Sequence, residues 1–276
     1  MHRKDAWASR ELPTTRDGAC IAIDLGPDSY RTGGASPSVA VFFDRLAAFG
    51  IGIAGETVVD VGTGTGTLAR GFALRGCKVI GVDPDDRLLN QARQLDAMAS
   101  VTIDYKLGYA EAIPLADESA DVVAAGQCWH WFDGPKSARE FARVIRPDGH
   151  VAVAYFSWLP LPGNVVEATE RLIMKHNPNW HFGGGNGVDF SSVPHLYAAG
   201  FSGFETFSYD LAVPYSPEAW RGRIRASAGI GASLPPDQVE SFDTELARLL
   251  EESFPGDVMQ VLHRVFAILG TRAPTS

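Results

Sequence analysis

Cysteine is scarce in this chain: three in 276 residues, Cys20, Cys77 and Cys128, an odd number set far apart. There is no Cys-x-x-Cys pair and no Cys/His spacing suited to zinc, which excludes a disulfide framework and a zinc-ribbon reading and fits a reducing compartment. No run of about 18 apolar residues occurs, and the polar start MHRKDAWASRELPTTRDGAC carries no apolar signal segment, so neither a membrane span nor a secretory leader is expected. Long basic tracts are also missing. With 24 Lys plus Arg against 33 Asp plus Glu the formal charge is −9, and a nucleic-acid partner is not expected. Internal repeats, low-complexity tracts and a G-x-S-x-G elbow are absent. What remains is an ordinary globular composition, 45% hydrophobic with 29 glycines and 17 prolines, for which a cytoplasmic location is the expectation.

Periodicity supplies the order. SPSVAVFFDRLAAFGI from Ser36 has a cap, a first-turn proline and apolar residues Val39, Phe42, Phe43, Leu46 and Phe49 at helical spacing, with Gly50 as its stop. Strands are then expected at Thr57 to Val61, Lys78 to Val82, VTIDYKLG, Asp121 to Ala125 and, after a turn RPDG, His150 to Phe156. Helices are expected between them at Thr67 to Arg75, over DRLLNQARQLDAM and at Lys136 to Ile145. Short β-branched strands separated by helices of about ten residues require right-handed parallel crossovers, hence an α/β doubly wound sheet. Beyond Phe156 the rhythm changes. Helices near Val165 to Lys175, Val193 to Ala199, Glu218 to Ala228 and Asp237 to Phe254 surround an alternating strand, Phe204 to Val213, and VLHRVFAILGTR reads as a last core strand. The stretch from about Pro214 to Gly256 is too long for a connection and has the length of a small inserted cap.

The sharpest local signal is VVDVGTGTGTLAR. A strand carrying Asp60 runs into Gly62, Thr63, Gly64 and Gly66 and then a helix, which bares backbone at a strand end where a ligand can approach closely. Asp83, at the tip of the second strand, is a carboxylate placed to accept from both ribose hydroxyls of an adenosine-containing ligand, and it or Asp85 also suits a helix cap. A nicotinamide dinucleotide and S-adenosylmethionine both satisfy these two features. The pattern is G-x-G-x-G rather than G-x-G-x-x-G, which leans toward the sulfonium cofactor.

With GYAEAIPLADESADVVAAGQCWHWFD and RVIRPDGHVAVAYF added in the same order, the sequence resembles the class I S-adenosylmethionine-dependent methyltransferases, in particular the small-molecule group of methyltransferase type 11 that includes ubiquinone-biosynthesis and trans-aconitate methyltransferase-like proteins. The resemblance covers roughly residues 30 to 156 well and the rest diffusely. It implies a Rossmann-like seven-stranded sheet of order 3-2-1-4-5-7-6 with the last strand antiparallel, and S-adenosyl-L-methionine as cofactor. It further implies that Gly62, Thr63 and Gly64 pass under the methionine moiety, that Asp83 holds the ribose and that Pro84 flanks the adenine. Ala110 and Glu111 would lie beside the adenine and Gln127 near the methionine end, while Tyr109 stands where many relatives have an Asp. Residues 1–35, with Tyr30 and Arg31, would form an arm or lid over the cofactor, and residues 36–276 the methyltransferase domain with 214–256 as its helical cap.

The WHWFD segment is where acceptors meet the cofactor in this group. His130 is a candidate general base, with a structural role or hydrogen-bond donation to the acceptor as the alternatives. Trp129 and Trp131 are either core aromatics or a face for the sulfonium, an attraction worth ~0.5–2 kcal/mol. In EAWRGRIRASAG, Arg221 and Arg225 share a helical face and Arg223 does not; Arg225 turned inward would bind an acidic acceptor, turned outward it belongs to a solvated basic face. The expected partner is a small-molecule methyl acceptor modified at O, N or C, with no metal. A nicotinamide-dependent oxidoreductase and a methyltransferase-fold protein that binds cofactor without turnover are the competing readings, and the oligomeric state stays open.

Overall fold

The structure, a computed structural model, describes residues 37–273. Tyr30, Arg31 and the arm of residues 1–35 lie outside the described residues. The first helix, α1 (Pro37–Ala48), buries Phe42, Phe43 and Leu46 and stops where Gly50 turns left-handed at φ 77°, a conformation that a Cβ penalises. A strand-helix alternation follows: β1 (Thr57–Val61), α2 (Thr67–Ala73), β2 (Lys78–Asp83), α3 (Asp86–Ala99), β3 (Asp104–Leu107), β4 (Ala120–Gly126), α4 (Gly134–Val144) and β5 (Ile145–Trp158). The chain continues through α5 (Val165–His176), α6 (Val193–Ala198), β6 (Phe201–Tyr215), α7 (Pro217–Arg225), α8 (Pro236–Ser253) and β7 (Met259–Arg272).

Among the described residues seven strands form one sheet of order β3-β2-β1-β4-β5-β7-β6. Strands β1 to β5 pair in parallel and β7 runs antiparallel to β5, from His150↔Thr271 to Trp158↔His263. The middle strands read as continuous apolar runs because both faces are covered: Val58, Val59, Val122, Val123, Ala124 and Val153 are wholly buried, the pattern of a parallel sheet flanked by helices.

Several element ends shift by a few residues from the sequence expectation, and one shift changes how a segment is used. Helix α4 ends at Val144, and the RPDG stretch belongs to the strand rather than preceding it. Ile145 pairs with Ala120, while the next pairing joins His150 to Val122, so the extra residues bulge out of β5. Asp148 takes a left-handed φ of 63° in the bulge, Arg146 pairs with Asp121 at 2.8 Å, and an Arg272 guanidinium nitrogen donates to the Ile145 carbonyl. Such anchoring is what a bulge needs to remain ordered.

The chain divides into two compact units. The sheet unit contains β1 to β5, residues 186–212 and residues from 262 onward. The other consists of Leu159–Gly185 and Val213–Val261 and is helical, built on α5, α7 and α8. Its centre is Trp220, fully buried, whose indole N–H donates to the Thr169 hydroxyl at 3.0 Å and whose ring meets Tyr215 edge-on at 5.3 Å. Phe242, Leu246 and Leu250 recur every four residues on α8 and are buried. On the polar side Arg221 and Arg225 both pair with Asp243 and Glu218. Replacing Trp220 by Ala deletes the largest buried side chain of this unit, and a loss of about 3–5 kcal/mol is expected. Thr169→Val, which removes the hydroxyl that accepts from the indole N–H, should cost about 1–3 kcal/mol. Urea unfolding followed by circular dichroism checks both, and equal stability of the two variants would contradict this ranking.

Candidate active site

The sheet unit gathers its polar groups at the carboxyl ends of β1, β2, β4 and β5, where open α/β sheets receive ligands. The turn after β1 is wound left-handed at all three glycines, Gly62 (φ 70°), Gly64 (φ 54°) and Gly66 (φ 78°). It is fastened to β2 by the Gly62 and Thr63 N–H groups, which both donate to the Val82 carbonyl at 2.8 and 3.1 Å. Two of these glycines are also required by packing. A Cβ on Gly62 would lie 2.8 Å from Cys128 Sγ, and one on Gly66 would lie 2.2 Å from Tyr105 Oη. Glycine at 62 and 66 therefore reports close internal packing as well as an open strand end, and the sequence signal merged the two causes.

Two carboxylates hold the turn from either side. Asp60 is buried; its Oδ2 accepts from the Thr63 hydroxyl at 2.6 Å and from the Ala69 N–H at 3.1 Å, which secures the amino end of α2. Burial pushes its pKa up to about 6, against the pull of those two donors and with a further upward push from Asp83. Asp83 is likewise buried. Its Oδ2 accepts from the Gly64 N–H and its Oδ1 from the Asp85 N–H, both at 2.9 Å. Burial raises its pKa, and the two amide donors oppose the rise. Capping of α3 falls to Asp85, which accepts from the Arg87 N–H. Behind the turn, the buried Arg70 guanidinium joins Asp96 at 2.5 Å and donates to the Thr65 carbonyl at 2.9 Å.

Under the turn lies a small cavity walled by Asp60, Gly62, Thr63 and Leu68 on one side and by Gly126, Gln127, Ala154, Tyr155 and Phe156 on the other. It has room for about one water, roughly 10 Å³. Gln127 has a left-handed φ of 56°, unusual for a side-chain-bearing residue and most often met near functional sites. Its amide is clasped to β5: Nε2 donates to the Phe156 carbonyl and Oε1 accepts from the Phe156 N–H, both at 3.0 Å. Leu68, Ala154, Tyr155 and Phe156 were not singled out from the sequence as site residues. Their signal was available, because AYF ends a buried strand adjacent to β4 and so falls at the same carboxyl edge.

The remaining candidates are more dispersed. Pro84 is exposed at the β2 tip. Ala110 is buried in the main core cluster, and Glu111 accepts from the Asp133 N–H at 2.7 Å, tying the segment after β3 to the start of α4. Tyr109 is 64% exposed. Residues Trp129–Trp131 form a single 3-10 turn. Trp129 is enclosed, meeting Phe132 and Phe141 edge-on at 5.8 and 5.7 Å and stacking on His195 at 6.3 Å. Trp131 is half exposed and leans on the His130 ring at 4.8 Å. His130 reaches solvent, yet the protein around it desolvates the ring and lowers its pKa, with Asp189 pulling it upward. A histidine so placed is neutral at pH 7 and able to take a proton. Arg225 belongs to the helical unit and is occupied by Glu218 and Asp243.

Known proteins resemble this chain in the same region. Residues 59–153 match the methyltransferase domain family. An uncharacterized methyltransferase of Schizosaccharomyces pombe is 29% identical over 200 residues, 71% of this chain and 74% of that protein. One from Mycobacterium tuberculosis is 40% identical over 102 residues, 37% of this chain and 40% of that protein, so the chain spans well under half the length of this relative. Among solved structures, phosphoethanolamine N-methyltransferase 2 of Haemonchus contortus in complex with S-adenosyl-L-methionine superposes with a TM-score of 0.52 at 18% identity, covering 91% of this chain and 57% of that one. Together with the strand order, these matches show a methyltransferase-type fold in a chain whose residues 59–153 match the methyltransferase domain. The donor set at this edge fits S-adenosylmethionine, the ligand of that Haemonchus contortus structure. A carboxylate has about four lone-pair positions, of which Asp83 uses two internally, leaving acceptors for a vicinal diol.

The elevated pKa of Asp60 has a measurable sign. The folded state holds that proton more tightly than the unfolded chain, so the stability it contributes is complete below about pH 4 and is lost as pH rises through about 6. The loss amounts to about 3 kcal/mol. Asp60→Asn should flatten the fall in unfolding free energy between about pH 4 and about pH 7 relative to the unchanged protein. Urea titrations across that range check it, and parallel curves for the two proteins would contradict the assignment.

Proposed function

We propose that this chain transfers the methyl group of S-adenosylmethionine to a small-molecule acceptor at O, N or C. The observation that carries the reading is Asp83, a buried carboxylate at the end of β2 that grips the Gly64 N–H and keeps acceptor capacity for the ribose hydroxyls. Bound at this edge, the cofactor supplies an electrophilic methyl on a cationic sulfur. The protein contributes binding and alignment: Gly62, Thr63 and Gly64 offer backbone close to the methionine portion, Pro84 flanks the adenine beside Ala110 and Glu111, and Gln127 and Asp60 line the inner end. Orientation of this kind supplies ~7–11 kcal/mol of a barrier without covalent chemistry. His130, neutral at pH 7, accepts the proton that the acceptor gives up.

Acceptor class is inferred from charge: a formal charge of −9 opposes nucleic-acid acceptors. Among the described residues no helix is long and apolar enough to cross a membrane. Cys77 and Cys128 are free thiols, which supports the cytoplasm as the place of action.

Asp83→Ala should weaken binding of S-adenosylmethionine and of S-adenosylhomocysteine by roughly tenfold to a hundredfold, the usual cost of losing hydrogen bonds to a charged acceptor. Isothermal calorimetry on the purified protein and variant reads this directly. Absence of heat with either ligand, together with a thermal shift on adding a nicotinamide dinucleotide, would overturn the proposal in favour of the oxidoreductase.

A further inference from the structure

A buried ion pair behind the glycine turn is not accounted for by contacts to a cofactor. Arg70 on α2 and Asp96 on α3 are both enclosed, and one guanidinium nitrogen reaches the Asp96 Oδ1 at 2.5 Å. Taking two charges out of water carries a penalty that their attraction does not reliably recover, so a pair of packed apolar residues would serve stability as well or better. Stability alone therefore does not explain the pair. Its other contacts show what it does locally. The second guanidinium nitrogen donates to the Thr65 carbonyl at 2.9 Å, and the Arg70 main-chain N–H donates to the Gly66 carbonyl at 2.8 Å. Arg70 thus holds two successive carbonyls of the turn, one through its side chain and one through its backbone.

These bonds close a short frame. The peptide between Thr65 and Gly66 is gripped at both ends, its carbonyl by Arg70 and its N–H by the Thr63 carbonyl at 2.8 Å. One residue earlier, the Gly64 N–H is the group that meets Asp83. Gly64 and Gly66 both sit in left-handed conformations, and a residue without a Cβ has little resistance of its own to leaving one. An outside restraint is needed to keep the turn in a single shape. Arg70 supplies it, and Asp96 fixes the guanidinium. Helix α3, which carries Asp96, is seated by Leu89 and Ala92 in a buried cluster with Tyr105, whose hydroxyl occupies the space that a side chain at 66 would need.

We propose that Arg70 is a positioning residue for the glycine turn, and through it for the cofactor, with Asp96 acting by way of Arg70. The pair keeps the Thr65–Gly66 peptide in one orientation, so that the Gly64 N–H and the Asp83 carboxylate stand in the arrangement that receives the ligand. The inference rests on the reading of this edge as an S-adenosylmethionine site. A planar guanidinium serves two acceptors at once from a fixed fork, which a lysine ammonium on a flexible stem does not reproduce.

The test uses the full chain. Arg70→Lys keeps the positive charge but loses the fork. Should it fold poorly, the double replacement Arg70→Met with Asp96→Leu removes both charges, so that neither is stranded, and carries the same expectation. Val144→Ala, a truncation of a wholly buried residue on α4, is the control for destabilisation as such. Isothermal calorimetry with S-adenosylmethionine is expected to show at least tenfold weaker binding in the Arg70 variants and less than a threefold change in Val144→Ala. Amide hydrogen exchange by NMR, on the proteins without ligand, is expected to quicken in the Arg70 variants at least tenfold more at Gly64 and Gly66 than at Val59 and Val123 in the central strands. Arg70 variants that bind as tightly as the unchanged protein, or that show no preferential exchange at the turn, overturn the inference. Failure of the unchanged protein to bind S-adenosylmethionine overturns the methyl-transfer reading instead, and the exchange rates then decide by themselves whether Arg70 holds the turn.

Discussion

The arrangement depends on how the turn after β1 is tied to the neighbouring strand. Gly62 and Thr63 donate to the Val82 carbonyl, and Asp83, the next residue along, accepts from Gly64. Three consecutive amides of the turn are thus fixed by two consecutive residues of β2. That tie holds glycines in left-handed conformations, and it explains why a carboxylate buried enough to be protonation-prone is retained at the strand tip. Desolvation disfavours the charged form, so Asp83 is held at an energetic cost that its two amide partners offset.

Much of this was legible in the sequence because it is encoded locally. The alternation of short β-branched runs with helical stretches required a parallel sheet, and the position of Asp83 at the end of the second run follows from counting. The strand order, including the antiparallel β7, came from the family resemblance and agrees with the observed sheet. What local pattern does not encode is pairing between a side chain and a distant backbone. The Gln127 amide clasping Phe156 links residues 29 apart in sequence, and no periodicity reports it. The β5 bulge is similar: RPDG is a turn by composition, and only Arg272 and Asp121, from other strands, make it part of the sheet.

The helical unit shows a different balance. Its helices near Glu218 to Ala228 and Asp237 to Phe254 were readable from the sequence, and so was the shared face of Arg221 and Arg225. Their partners were not. Both arginines meet Asp243 and Glu218, which converts a basic face in the sequence into a neutralised cluster in three dimensions. The cluster is partly buried at Asp243 and open to solvent at Glu218, and its arginines tie α7 to α8 through Asp243.

Consider finally the space behind Gly66. Because the Tyr105 hydroxyl fills the volume that any larger residue at 66 would need, these two positions form a single choice spread over two segments of the chain. Divergence cannot alter the first until the second has shrunk, and a smaller residue at 105 would leave a void beneath the turn that invites filling. Residues 66 and 105 are therefore expected to drift as a pair, and a swap of either one from a distant cousin into this background would import half of a matched set.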